Sequence, residues 1–373
     1  MFLIERFVSL LVYAFALFFA CYLIGVVVRK QWQAVLLLYL ACLCVFAYCY
    51  QPYITADLYR LRQYIRYWTG VPWAEILSTA LKYSVPSWVL YSYIISKLGN
   101  INWLQTITCL WCFGNIFYII SHEIERNMLQ RRSRSMMLFY VMAVGALFLQ
   151  TISGIRSMLG ISIVAFCFYR ETVEHKAAWP HVAIYLFAAL LHSSTLILVI
   201  SRLVFFLIQV KAPHKRIAGF VAMLILGIFS SYFLIDFIGS AFETGRSYLE
   251  NKNEYTYSWE ILIGSIETLE TIYVMWQFRK RYKNDKTAEN DFMLWKLCLL
   301  WTAICIMTLP FSYTIFRRYT IFCTIISVPL LGRMLRLEQR GEFDRNIWIF
   351  SCAIFALSGI RGDLCGYKFF ILH

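Results

Sequence analysis

A chain of 373 residues that is 60% hydrophobic and 18% aromatic, with a mean hydropathy of +0.62, is far more apolar than a soluble globular domain. Its net charge of +14 sits on lysines and arginines in short clusters between apolar runs, a distribution set by cytoplasmic loops rather than by a face for nucleic acid. Composition therefore excludes a soluble enzyme and a nucleic-acid-binding domain. It predicts an all-α, polytopic integral membrane protein with about 10–14 transmembrane or re-entrant helices, one transmembrane unit over residues 1–373.

Taken in order, the first apolar run covers residues 7–28 and the second 33–52, joined by Arg29-Lys30. No cleavage site follows the first, so it reads as a membrane helix and not a removed leader. With that basic turn in the cytoplasm, the polar and aromatic segment 53–85 lies outside. Within it, Asp57, Tyr64 and the Leu61/Ile65 pair fall at helical spacing and predict a short interfacial helix. Residues 86–98 are too short to cross and read as a re-entrant segment opened by Pro86.

Spans follow at 102–121, 136–152 and 157–169, with basic loops after Arg126 and Arg170. Residues 181–210 lie between two basic loops. One crossing would put those loops on opposite sides, so two short helices, 181–192 and 195–210, fit the charge bias better and place His192 at an outer apex. The remaining spans are 217–239, 259–278, 291–309, 312–331 and 346–360, with a second external segment at 240–258. Cys109 and Cys112 have the spacing of a metal or redox pair, but no second pair accompanies them and they lie within an apolar helix, where packing explains them.

The informative charges are those that break the topology rule. Arg60, Arg62, Arg66, Arg156, Arg246, Arg317 and Arg318 all fall on the outer side. A guanidinium offers forked donors that match phosphate or carboxylate oxygens. Singly, each has an ordinary alternative: a snorkelling anchor for Arg156 or Arg317 and Arg318, a packing role for His192, a helix cap for Asp57. Together with many tyrosines they describe a site for a phosphorylated, hydroxyl-rich substrate at the outer interface. The chain has no phosphate loop, no His-Glu-x-x-His and no Asp-x-Asp. The residues thus call for no metal and no cofactor, and speak against a nucleotide-sugar donor.

Asp57 with Tyr59 and Tyr64 after the second span, Pro86, Ile155-Arg156 opening a helix, His192-x-Ser194, and Arg317-Arg318-Tyr319 occur in an order that resembles the EpsG-like group of Wzy-type polysaccharide polymerases. The likeness covers roughly residues 1–335. The chain departs from the group's pattern at Thr55-Ala56, where Gly-Thr is usual, at Val85, where Glu precedes the proline, and at Ser157, where Gln is usual. The resemblance implies a metal-independent glycosyltransferase of GT-C-like architecture in the bacterial inner membrane. It would join repeat units of O-antigen or exopolysaccharide carried on polyprenyl pyrophosphate, with a chain-length regulator as a further partner.

On that basis the residues divide into expected roles. Arg156 and Arg318, with Arg317 behind them, form a pyrophosphate clamp, and His192 is the general base. Asp57 orients the histidine or binds sugar hydroxyls, and Tyr59, Tyr64, Arg60 and Arg62 line the glycan path, with Arg246 on the second external segment. A lipid-linked oligosaccharide flippase would instead carry charges along a mid-membrane cavity. A membrane O-acyltransferase would put His192 at the cytoplasmic face.

Overall fold

The computed structural model describes residues 32–52, 57–83, 85–145, 147–209, 258–283, 289–310, 312–336 and 341–364. The expected spans 7–28 and 217–239, and most of the external segment 240–258 with Arg246, lie outside the described residues. Helices account for nearly all of what is described, and no strand occurs among those residues.

Helix α1 (Trp32–Cys49) is followed by α2 (Asp57–Trp68), α3 (Trp73–Lys82) and α4 (Pro86–Ser96). Three short elements thus occupy the region expected as an external segment and a re-entrant run. Helix α2 is amphipathic, with Leu58, Leu61, Ile65 and Trp68 buried at three- and four-residue intervals. Pro86 stands at the first turn of α4, where its missing N–H costs nothing.

Helix α5 (Trp103–Arg126) runs five residues beyond the expected span, its polar last turn being held by ion pairs. The expected span 136–152 is broken: α6 (Arg131–Gly145) and α7 (Phe148–Ser153) divide just after Gly145, a poor residue for a helix interior. Gly154 then separates α7 from α8 (Ile155–Thr172) and caps the latter, its carbonyl accepting from the Met158 N–H at 3.0 Å.

After a 3₁₀ turn (Trp179–His181) come α9 (Val182–Ala189) and α10 (Ser193–Gln209). The two-helix reading of 181–210 matches this pair, and the break falls at Leu190–His192. Helices α11 (Ser258–Tyr282), α12 (Glu289–Thr308), α13 (Tyr313–Leu335) and α14 (Gly341–Leu364) complete the described chain.

Helix α13 is the most enclosed, buried along most of its length and packed on α11, α12, α5 and α8. One continuous apolar core runs from Leu36 of α1 to Ile347 of α14. Helices α1, α5 and α13, with residues 291–308 of α12, are long and apolar enough to cross a membrane. Helix α11 is long enough but carries Glu260, Glu267 and Glu270. Glu267 is neutralised where it meets α13, which lets a charged helix sit inside the bundle.

Candidate functional site

A cavity of about 230 Å³ opens where α2, α3, α4, α8, α10 and α13 converge. From α2 it takes a single stripe, Asp57, Arg60, Leu61, Tyr64 and Trp68, whose spacing puts them on one helix face. Arg156 comes from the first turn of α8, Arg318 from the second turn of α13, and His192 from the residue before α10. Tyr83 and Trp88 add rings, and the Arg156 guanidinium lies 5.8 Å from the centre of the Trp88 ring.

The electrostatics of this cavity favour an anion. Three guanidiniums, of Arg60, Arg156 and Arg318, face one carboxylate, that of Asp57, which is paired with Arg60. First-turn residues of α4 and α8, and the residue before α10, also line the cavity, so the positive dipole ends of these helices lie beside it. Among the described residues no group of three or more His, Cys, Asp or Glu side chains is placed to hold a metal.

His192 is buried, and its ring is engaged by its own helix. The Ser194 N–H donates to Nδ1 at 3.1 Å, and the Ser194 hydroxyl lies 2.9 Å from the same nitrogen. Burial, then the charges of Arg318 and Arg156, push the imidazole well below its ordinary range, so the ring is neutral.

Six of the sequence-derived residues, Asp57, Arg60, Tyr64, Arg156, His192 and Arg318, therefore meet in one cavity. Others stand apart. Arg62 is buried on the far side of α2, donating to the Tyr50 carbonyl at 2.7 Å and to Gln51 Oε1 at 2.8 Å, where it ties α2 to the end of α1. Arg317 is turned away from the cavity into a buried pair with Glu267 and donates to Gln150 Oε1 at 3.0 Å. Tyr59 is half-buried and outside the cavity lining. Asp57 is engaged by Arg60 rather than by the His192 ring.

Sequence reasoning missed Trp68, Tyr83 and Trp88 as wall residues. The stripe spacing from Asp57 pointed to Trp68; nothing local pointed to the other two. Val85 and Ser157, where the chain departs from the pattern of its resemblance, both line the cavity.

Four long apolar helices among the described residues, together with the family match, make this a membrane protein of the polysaccharide polymerase-like class. The EpsG family model matches residues 72–362, and the chain belongs to the EpsG family. No curated protein and no solved structure matches it.

Proposed function

We propose that the chain is a Wzy-type polymerase, a metal-independent glycosyltransferase of GT-C-like architecture. It joins polyprenyl-pyrophosphate-linked repeat units on the periplasmic face of a bacterial inner membrane, in O-antigen or exopolysaccharide synthesis. The observation that carries this reading is the meeting of Asp57, Arg156, His192 and Arg318, from four separate places in the chain, in one cavity walled by aromatic rings. Rings of this kind stack on sugar faces, and guanidiniums suit pyrophosphate.

The chemistry follows from those groups. A hydroxyl of the acceptor repeat unit attacks the anomeric carbon of the donor glycan. The bond from that carbon to the pyrophosphate oxygen breaks with its electron pair leaving on oxygen, and a glycosidic bond forms. Arg156 and Arg318 offset the charge that grows on the leaving group, the kind of preorganised stabilisation worth about 10²–10³ in rate. The hydroxyl proton passes to Asp57, the carboxylate of the described lining. His192 was the general base expected from the sequence, but its Nδ1 lone pair already accepts from the Ser194 N–H.

The distribution of charge supports an outward-facing cavity. Arg126, Arg170, Arg279, Lys280, Arg281 and Arg333 all stand in the last turns of their helices. Helices α8 and α13 run from the cavity toward that basic end, which the topology rule assigns to the cytoplasm. A flippase would need charges along its path. The buried charges of Arg317, Glu267, Glu123 and Asp291 are instead held in ion pairs away from the cavity lining, which favours the polymerase.

The test is the polymer ladder from cells expressing variants at wild-type levels. Arg156→Ala is expected to leave only single or short repeat-unit products, and Arg156→Lys, which keeps charge but loses the fork, to retain a fraction. Unchanged length and yield for Arg156→Ala would sink the proposal.

A further inference from the structure

The tautomer of His192 is set by the helix it precedes. Thr195 N–H donates to the His192 carbonyl at 3.0 Å, so His192 occupies the N-cap position of α10. Its ring takes the place of the usual serine or aspartate oxygen, receiving the Ser194 N–H at Nδ1. A backbone amide only donates, so the nitrogen facing it must offer a lone pair. A neutral imidazole has one such nitrogen, and the proton therefore resides on Nε2. Adding a second proton would set N–H against N–H beside the cations Arg156 and Arg318.

We infer that His192 acts as a neutral Nε2–H donor to the pyrophosphate oxygens of the lipid-linked donor, its tautomer fixed by the backbone amide of residue 194. The inference rests on the polymerase reading for the ligand, and on the hydrogen bonds alone for the tautomer. The ring shares its cavity with Asp57, Arg60 and Tyr64 of α2, Tyr83 at the end of α3, Arg156 of α8 and Arg318 of α13. An anion drawn in by the guanidiniums meets a fixed neutral donor on the same wall, which orients it without adding charge. No proton is transferred at His192, so the leaving pyrophosphate departs as an anion and the acceptor's proton goes elsewhere.

The experiment is nitrogen NMR on the full-length, ¹⁵N-histidine-labelled protein in lipid nanodiscs, with the His192 signals identified by their loss in His192→Gln. Near neutral pH, Nδ1 is expected to be unprotonated and Nε2 protonated, and the Nε2–H signal to move when a polyprenyl pyrophosphate is added. Ser194→Ala keeps the amide and should keep the tautomer. In binding assays with the same lipid, His192→Gln, whose amide retains an N–H, should stay within a few-fold of wild type. His192→Ala should weaken binding about tenfold or more.

An Nδ1-protonated ring in the wild-type protein overturns the inference. Equal weakening by Gln and Ala overturns the donor role. If Arg156→Ala leaves binding of the lipid unchanged, the pyrophosphate reading of the cavity fails, and the donor role with it, while the tautomer measurement stands by itself.

Discussion

Arg317 and Arg318 are neighbours in sequence and about 100° apart around their helix, which sends one into the protein and the other into the cavity. Their substitutions should therefore separate. Arg317→Ala strands Glu267 in a buried position and should cost about 3–5 kcal/mol, read as a lower melting temperature in detergent. Arg318→Ala strands no buried carboxylate of this kind, so it should lower melting less than Arg317→Ala while reducing polymer yield about 100-fold.

His192 adds a pH prediction. Its folded pKa lies below the ordinary 6.5, so the unfolded chain binds the proton first. The corresponding stability is present above that ordinary value and is lost as pH falls from there through the folded pKa. Melting curves at about pH 7.5 and about pH 5 should differ less for His192→Gln than for wild type. The cavity arginines were legible in the sequence because they defied the charge rule. That Arg62 and Arg317 are structural was not, because their partners, such as Glu267 fifty residues away, become neighbours only once the helices pack.

Among the helices, the approach of α8 to α10 places the histidine. A Cβ at Gly160 would meet Thr195 Cγ2 at 2.5 Å and Oγ1 at 2.7 Å, so α8 reaches α10 only because this position has no side chain. Thr195 in turn donates to the His192 carbonyl at 2.9 Å. Gly160→Ala is expected to push the start of α10 outward and lower polymer yield at least tenfold. Adding Thr195→Ala should restore part of it, a coupling that yields from the two single variants and the double variant would measure. The helix break at 190–192 was readable from charge bias between two basic loops, and the stripe on α2 from its periodicity. The contact at Gly160 was not, since a lone glycine in an apolar helix carries no sign of what lies against it.

Across the whole molecule, two polar regions occupy opposite ends of α8. Arg156 faces the cavity; Tyr169, 13 residues or about 20 Å further along, donates to Glu123 at 2.8 Å. Around Glu123, Arg126 pairs with both that carboxylate and Asp291 at 3.0 and 2.8 Å, and Arg333 lies 3.7 Å from Asp291. This network joins α5, α8, α12 and α13. Asp291→Asn should lower the melting temperature while leaving the polymer ladder at wild-type length, because sites this far apart act nearly independently. All-helical membrane character was plain from composition, whereas the gathering of the cavity from distant segments needed the fold.

The most direct test of the central claim is labelling of Tyr64→Cys, on the exposed rim of the cavity. It uses a membrane-impermeant thiol reagent on right-side-out and inside-out vesicles carrying the otherwise cysteine-free protein. An outward pyrophosphate site predicts labelling from the right-side-out face, slowed when a polyprenyl pyrophosphate is present in the membrane. Labelling from the inside-out face alone, indifferent to that lipid, would contradict it.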